Sequence, residues 1–273
     1  MSDLKTINRE GVGMKVIFAN MFQGMIYLRQ EKGKQITDGC HPEKYIEYFV
    51  RQQPDILCLA ETLADDAQGN SLFVTELSKA CKLPYFYCLA GEKAWLAGGG
   101  KYYGLAVLSR FPIVNYSVEK LANPGLELTR PNGEHWVMHD KYIQKTVIEA
   151  NHQKLSLFNT HLFPFQHFRR RFWDDEFKPY RDKWLRQLMP CDGPAIICGD
   201  FNTVGISLEK AFPELFERGL TNAVPFNGKD YQPRYAYDTQ IEYLLVSPEV
   251  RVKAGLSDML YSDHPFLMAD IHF

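Results

Sequence analysis

The chain has 273 residues, of which 45% are hydrophobic and 23% charged, and 31 Lys and Arg against 33 Asp and Glu give a formal net charge of −2. This balance is typical of a globular protein and argues against disorder and fibrous repeats. Near-neutrality also argues against a broadly basic nucleic-acid-binding surface, so local patches would have to attract a polyanionic substrate.

Short apolar runs alternate with amphipathic stretches along the chain, and no Ser/Gly/Pro-rich linker divides them. Run length, side-chain branching and flanking turn residues predict eight strands and four helices. In chain order they are strand 15–19, helix 42–52, strand 56–60, helix 71–82, strands 105–109, 145–149 and 155–160, helix 179–188, strand 195–198, helix 208–218, and strands 242–246 and 266–271. One α/β or α+β domain over residues 1–273 is the simplest account.

The sequence also carries signals about location. The first ten residues lack the apolar stretch of a signal peptide, and no apolar run approaches the roughly 18 residues of a membrane span. The six cysteines form no CxxC pair. We therefore expect a cytoplasmic protein without a transmembrane segment, and we expect it to be a monomer. A secreted protein that lacks its leader is the alternative.

Polar side chains follow several of the apolar runs, where the strands of a layered sheet present them at a common edge. A single polar residue at the end of a strand is an ordinary cap or turn residue as often as it is a functional one. Repetition of the same placement indicates a site instead. These residues are Asn20, Glu61, His161, Asp200 with Asn202, and the pair Asp263 and His264 before the last strand.

The chemical types of these residues fit metal-assisted hydrolysis of a phosphoester. Glu61 and Asp263 offer the hard oxygen ligands that Mg²⁺ or Mn²⁺ prefers. Asp200 is suited to accept a proton from an attacking water. The remaining residues are suited to position that water, to bond phosphoryl oxygens or to donate to the leaving oxygen: Asn20, Asn202, His161 and His264. Positioning and charge stabilisation supply most of the rate in such reactions.

Six short motifs make the chain resemble the endonuclease/exonuclease/phosphatase superfamily, whose members include deoxyribonucleases, abasic-site endonucleases, neutral sphingomyelinases and inositol polyphosphate 5-phosphatases. They stand in the order seen in that superfamily and span essentially the whole chain. They are Phe18-Ala19-Asn20, Leu59-Ala60-Glu61-Thr62, the run from Gly104 to Ile113, Asn159-Thr160-His161-Leu162, Gly199-Asp200-Phe201-Asn202 and Ser262-Asp263-His264-Pro265.

The resemblance implies a four-layer sandwich in which two packed mixed β-sheets are flanked by helices, with the site at one end. It implies Glu61 as the main metal ligand with Asn20 beside it, and Mg²⁺ or Mn²⁺ as the cofactor. It further implies that Asp200 orients or deprotonates the water and that Asn202 holds the phosphate. His161 would contact phosphate oxygens, and His264 would pair with a carboxylate.

The sequence departs from the superfamily at one strand. An Asp usually stands in an Ile-Asp-Tyr or Ile-Asp-His strand before the final motif, whereas this chain has Ile241-Glu242-Tyr243. Glu242 keeps the carboxylate and adds a methylene. We expect Glu242 to orient His264, with Asp238 as the alternative partner and an ordinary strand residue as the third possibility.

Two segments are candidates for substrate contact. The loop from Ala97 to Gly104 combines a glycine run with Lys101 and Tyr103, and without a Gly-Lys-Ser/Thr ending it is no nucleotide P-loop. The stretch after His161 interleaves Phe residues with Arg169 and Arg170, which suits base stacking, insertion into a lipid interface, or core packing beside a solvated charged face.

These observations predict a Mg²⁺- or Mn²⁺-dependent phosphoester hydrolase, most simply a phosphodiesterase. The substrate remains open between a nucleic acid, a phospholipid headgroup and a small phosphorylated metabolite. A binding module that keeps the fold without catalysis is the competing hypothesis. The chain retains six acidic, amide and imidazole residues together, and this favours the enzyme. They are Glu61, His161, Asp200, Asn202, Asp263 and His264.

Overall fold

The computed structural model describes residues 13–31, 34–150, 152–190, 192–231, 237–257 and 261–273. Its strands in chain order are β1 (Met14–Asn20), β2 (Met25–Glu31), β3 (Lys34–Cys40), β4 (Ile56–Ala64), β5 (Tyr85–Lys93), β6 (Tyr102–Ser109), β7 (Ile113–Lys120), β8 (Glu127–Thr129), β9 (His135–Val137), β10 (Tyr142–Ala150), β11 (Gln153–His161), β12 (Ala195–Asp200), β13 (Thr221–Asn222), β14 (Glu242–Val246), β15 (Arg251–Leu256) and β16 (Leu267–His272). Its α-helices are α1 (Pro42–Gln52), α2 (Leu72–Cys81), α3 (Lys178–Leu188), α4 (Leu208–Ala211) and α5 (Pro213–Glu217).

Two six-stranded mixed sheets form the centre of the fold. The first has the order β15-β16-β1-β4-β6-β5, and the second has the order β13-β14-β12-β11-β10-β7. Each sheet contains one parallel pair, β1 with β4 and β11 with β12, among antiparallel neighbours. These four strands are apolar over most of their length because both of their faces are covered.

The sheets pack face to face, and their outer faces carry the helices. A buried core joins Phe18 and Cys58 of the first sheet to Leu157 and Ile196 of the second. A second core lies beneath α1 and α2, and a third beneath α3 to α5 around the fully buried Trp184. The predicted four-layer sandwich is therefore confirmed.

Local sequence signals set the ends of the first two helices. Pro42 begins α1, where its missing N–H costs nothing, and Gln53 ends it in a left-handed conformation. Ser71 caps α2 by accepting a hydrogen bond of 3.1 Å from the backbone N–H of Val74. The predictions for these helices agree with the structure to within one residue at each end.

The predicted single helix over residues 208–218 is wrong. The chain forms two short helices, α4 and α5, separated at Phe212 (φ −140°, ψ 65°). Pro213 is the cause, because its ring disfavours helical geometry in the residue before it and its own N–H is missing. Pro213 then begins α5, as prolines commonly begin helices.

Two further sequence observations concern membranes and cysteines. Within the part of the chain that the structure describes, no helix is long and apolar enough to cross a membrane. Five cysteines carry free thiols, and Cys191 lies outside the described residues.

Candidate active site

The predicted site residues meet where the central parallel strands end. In the second sheet, His161 pairs with Asp200 across β11 and β12, and Asp200 pairs with Glu242 across β12 and β14. Residues paired in register direct their side chains to the same face. His161, Asp200 and Glu242 therefore form a row across three adjacent strands.

Glu61 faces this row from the first sheet and owes its position to a β-bulge. The register between β4 and β6 shifts between Ala60 and Thr62, which leaves Glu61 as the extra residue with a φ of 50°. A bulge redirects the side chain of the unpaired residue. The Glu61 carboxylate consequently lies 3.9 Å from Nε2 of His161.

Hydrogen bonds hold the Asp200 carboxylate from two sides. Nδ2 of Asn20 donates to Oδ2 at 3.1 Å, and the backbone N–H of Asn202 donates to Oδ1 at 3.0 Å. The Asn202 side chain accepts from Gln166 and donates to the carbonyl of Leu162, each at 3.1 Å. Asn20, Asp200 and Asn202 are buried, and these hydrogen bonds fix the orientation of their side chains.

His264 lies between carboxylates. Its Nδ1 contacts Oε1 of the fully buried Glu242, and its Nε2 lies 3.6 Å from Oδ1 of Asp263. Asp263 in turn accepts a 2.6 Å hydrogen bond from Nε2 of Gln35 in β3. Asp238, the alternative partner from the sequence, is exposed. The contact with His264 is thus made by Glu242, and its longer side chain spans the distance.

His161 is accompanied by a buried lysine that the sequence analysis did not identify. Nζ of Lys141 lies 3.2 Å from Nδ1 and 3.4 Å from Nε2 of the imidazole. Burial, together with the positive charge of Lys141, holds the pKa of His161 well below its usual range. His161 is therefore neutral at physiological pH.

Three carboxyl groups of the site hold their protons more tightly than carboxyl groups in water do. Burial raises the pKa of Glu61 and of Asp263, and it raises the pKa of Asp200 to about 7, with Glu242 and Glu61 adding to the rise. His264 responds in the opposite sense. Burial disfavours its charged form, but the carboxylates of Asp263 and Glu242 outweigh this effect and raise its pKa well above the usual value.

This charge distribution bears on which residues suit a cation. The ligand atoms of Asp200, Glu242 and His264 all lie within 4.8 Å of one another. Nδ1 of His264 contacts Glu242 and lies 3.9 Å from Oδ2 of Asp200, so these three residues also form an ion-pair cluster. Glu61 and Asp263 carry carboxylate oxygens of the kind that a divalent cation of the Mg²⁺ type prefers, whereas the amide oxygen of Asn20 accepts a 3.0 Å hydrogen bond from the backbone N–H of Phe22.

Comparison with known proteins agrees with this arrangement. The sequence profile of the Endonuclease/Exonuclease/phosphatase family matches residues 37–264. The chain belongs to this family. Family members are generally metal-dependent hydrolases of phosphoester bonds. No curated protein matches the chain significantly.

Solved structures of the family share the fold. A family protein from Beutenbergia cavernae superposes with a TM-score of 0.70 at 17% identity, covering 96% of this chain and 72% of its own. The human Nocturnin catalytic domain superposes with a TM-score of 0.58 at 21% identity, and the match covers 96% of this chain and 93% of that domain. A mannosyl-6-phosphatase from Bacteroides thetaiotaomicron superposes with a TM-score of 0.55 at 15% identity, and the match covers 95% of this chain and 100% of that protein. At these identities the similarity concerns the fold.

Of the predicted substrate-contacting residues, Tyr103 lines the same cleft as His161, whereas Lys101 and Arg170 pair with carboxylates outside the carboxylate and imidazole cluster. Lys101 forms an ion pair of 3.7 Å with Asp65, and Arg170 forms one of 3.2 Å with Glu176. Arg169 is exposed in a left-handed turn. Tyr103 is buried, and its hydroxyl lies 3.0 Å from Nδ1 of His139. The Phe residues after His161 pack into the core beneath α3, which leaves the arginines as a solvated face.

The sequence analysis missed Lys141 and Gln35. A lone Lys before a strand and a Gln within one carry no local signal of function. The pairing of β10 with β11 supplies the missing information for Lys141, because β10 begins at Tyr142 and Ile143 lies opposite Thr160, one residue before His161. The residue just before β10 therefore lies near the end of β11, where Nζ of Lys141 contacts His161.

Proposed function

We propose that this protein is a divalent-metal-dependent phosphodiesterase that hydrolyses its substrate by attack of a water molecule on phosphorus. The observation that supports this most is the row of His161, Asp200 and Glu242 on one sheet, faced by Glu61 on the other. It joins a base, an imidazole and a carboxylate suited to bind a metal in one place, and Glu242 contacts a second imidazole, that of His264. Because both sheets contribute, we also propose that residues 1–273 act as one catalytic domain.

In this proposal Glu61 is the main ligand of Mg²⁺ or Mn²⁺, and Asn20 and Asp263 complete the protein's share of the coordination. The ion, when bound, neutralises phosphoryl charge and lowers the pKa of a bound water. The raised pKa values of Glu61 and Asp263 support this assignment, because crowded buried carboxylates gain most from a nearby cation.

Asp200 is proposed as the general base. The amide of Asn20 and the backbone N–H of Asn202 fix its carboxylate, and a pKa of about 7 lies near the ordinary working pH of a general base. Asp200 would take a proton from the attacking water while the oxygen of that water forms a bond to phosphorus. The phosphorus–oxygen bond to the leaving group breaks in the same displacement.

The remaining polar residues are proposed to hold the phosphoryl group. The His264 cation, which Glu242 and Asp263 stabilise, would face the developing negative charge, and neutral His161 and the amide of Asn202 would donate to phosphoryl oxygens. Fixed donors in a buried site stabilise such charge more than they would in water.

The substrate class stays within the three predicted alternatives, namely a nucleic acid, a phospholipid headgroup and a small phosphorylated metabolite. Lys101, Tyr103, Arg169 and Arg170 are proposed as peripheral substrate contacts. Lys101 and Arg170 would have to exchange their present ion pairs for substrate, which costs little at exposed positions. We further propose a cytoplasmic location, which the free thiols of the described cysteines support, and a monomeric state.

Hydrolysis of bis(p-nitrophenyl) phosphate tests the proposal. We expect turnover with Mg²⁺ or Mn²⁺, no turnover with excess EDTA, and a loss of at least about 100-fold in Asp200→Asn. Asp270→Asn, which changes an exposed carboxylate on β16, is the matched control and should stay within about twofold.

Three outcomes would decide against the proposal. Metal-independent turnover or an unaffected Asp200→Asn variant contradicts the mechanism. No turnover on any phosphoester would favour a binding module.

The substrate panel should comprise abasic-site DNA, single- and double-stranded DNA, 5′-phosphotyrosyl DNA, RNA, sphingomyelin, inositol phosphates and nucleotides, with metal present.

A further inference from the structure

Lys141 is a buried cation on the inner wall of the site. Only 7% of its surface is exposed, and its Nζ lies over the ring of Tyr103 at 5.4 Å from the ring centre. Its hydrogen-bonding neighbour is the imidazole of His161. Among the described residues, no carboxylate oxygen lies within 4.0 Å of this ammonium group.

Such a position is costly for a lysine. Burial of an ammonium group without a hydrogen-bonded carboxylate carries a large desolvation penalty, and lysines are almost never fully buried unless they are paired. Burial accordingly lowers the pKa of Lys141, while the more distant Glu61 and Asp200 oppose that effect. The ammonium thus retains hydrogen-bonding capacity that the described side chains do not use.

The surroundings of Lys141 indicate what could use it. Lys141 lines a small cleft between the ends of β6 and β10 together with His161, Tyr103 and Tyr142. Glu92 and Asp140 also line this cleft, but their carboxylates lie more than 4.0 Å from the ammonium group. Nε2 of His161 lies 3.9 Å from the Glu61 carboxylate and 3.4 Å from Nζ of Lys141. A phosphoryl group that contacts the imidazole of His161 would therefore have an oxygen within reach of Lys141.

We propose that Lys141 binds a non-bridging oxygen of the scissile phosphoryl group and stabilises the negative charge that grows there in the transition state. This inference rests on the proposed function and adds a residue to it. Lys141 neither gives nor takes a proton in the reaction. His161 would support it by contacting the same phosphoryl group through its imidazole.

The test compares Lys141→Met, Lys141→Arg and Lys154→Met. Lys154 is the matched control, because it is exposed at the opposite end of β11 and its replacement also removes one positive charge from the second sheet. For each variant, kcat and KM on bis(p-nitrophenyl) phosphate with Mg²⁺ and the inhibition constant of inorganic phosphate are measured. Thermal unfolding of each variant is followed by circular dichroism.

We expect Lys141→Met to lower kcat/KM by roughly 10- to 150-fold, as for the loss of a charge-assisted hydrogen bond, with most of the loss in kcat. The inhibition constant of phosphate should rise by a similar factor, while Tm shifts by no more than about 5 °C. Lys141→Arg should have a kcat/KM and a phosphate inhibition constant between those of Lys141→Met and those of the wild type. Lys154→Met should stay within about twofold of the wild type.

A Lys141→Met variant with an unchanged phosphate inhibition constant and kcat/KM within about threefold of the wild type overturns the proposal. If that variant does not fold, Lys141→Gln is judged by the same two quantities. If the wild type hydrolyses nothing, the proposed function fails separately. Calorimetric binding of inorganic phosphate with Mg²⁺ then decides about Lys141, since binding that is absent, or equally strong in both proteins, contradicts the proposal.

Discussion

Asn159 in the second sheet donates a hydrogen bond of 3.0 Å from Nδ2 to the backbone carbonyl of Leu59 in the first sheet. Each of these residues stands two positions before a site residue, His161 and Glu61 respectively. The same amide group lies 3.1 Å from the carbonyl of Ala106. A single buried side chain thus joins the two sheets directly beneath the place where they share the site.

Replacement of Asn159 by Ala should weaken the fold and the site together. The variant removes the side-chain donor shared by the carbonyls of Leu59 and Ala106 and the amide oxygen of buried Gln144, so we expect the free energy of unfolding to fall by about 2 to 4 kcal/mol in urea titrations. The exposed Asn115→Ala on β7 is the control and should change it by less than about 0.5 kcal/mol. A loss in Asn159→Ala no greater than in the control would show that this cross-sheet bond contributes little.

Replacement of Glu242 by Gln should impair catalysis, because the contact with His264 loses its negative charge. We expect kcat/KM on bis(p-nitrophenyl) phosphate to fall by roughly 10- to 150-fold, and Glu242→Asp to retain more activity because it keeps the charge. Asp238→Asn, at the exposed alternative position, is the comparison and should stay within about twofold. A larger loss in Asp238→Asn than in Glu242→Gln would reverse the assignment.

The central strands were predictable because their burial on both faces produces apolar runs. The predicted strand 242–246 coincides with β14, and the predictions for β1, β4, β11 and β12 fall within the observed bounds. Polar residues at the ends of such runs then meet by topology alone. Hence the sequence was enough to bring Asn20, His161 and Asp200 together.

The edge strands and the bulge were not predictable from the same signal. β7 and β15 are partly exposed, so polar residues interrupt their apolar ones, and the sequence analysis missed them. It also missed β5, although residues 85–90 of that strand form an apolar and aromatic run. The position of Glu61 depends on a register shift against β6, which a single segment does not reveal. Lys141 is buried only through strands that are distant in sequence, whereas Pro213 was a local signal that should have divided the predicted helix.

Replacement of Gly199 by Ala should destabilise the second sheet. A Cβ at this position would lie 2.5 Å from the carbonyl oxygen of Thr160 on the neighbouring strand β11, so one of the two strands must move. We expect the free energy of unfolding to fall by about 1 to 3 kcal/mol. Gly255→Ala on β15, where a Cβ meets nothing within 4 Å, should be neutral or slightly stabilising. Equal effects in both variants would exclude the close approach as the cause.

Replacement of Asp200 by Asn should change how stability depends on pH in metal-free protein. The pKa of Asp200 rises from 3.8 to about 7 on folding, so the folded protein holds this proton more tightly than the unfolded chain. Stability that depends on the proton is fully present below about pH 4 and is lost as the pH rises through about 7. Asn does not titrate and escapes this loss.

Relative to the wild type, Asp200→Asn should therefore gain about 2 to 3 kcal/mol of unfolding free energy between pH 5 and pH 8, from urea titrations in EDTA. The hydrogen bonds lost in the variant lower its unfolding free energy equally at both pH values, so their effect cancels in this comparison. Asp270→Asn, at an exposed carboxylate, should show no such gain. Saturating Mg²⁺ should narrow the gain, since a bound cation offsets the carboxylate charge at high pH. A difference that is independent of pH, or that shrinks as the pH rises in EDTA, would mean that Asp200 is ionised throughout and that the crowding of Glu61, Glu242 and Asp263 does not hold its proton.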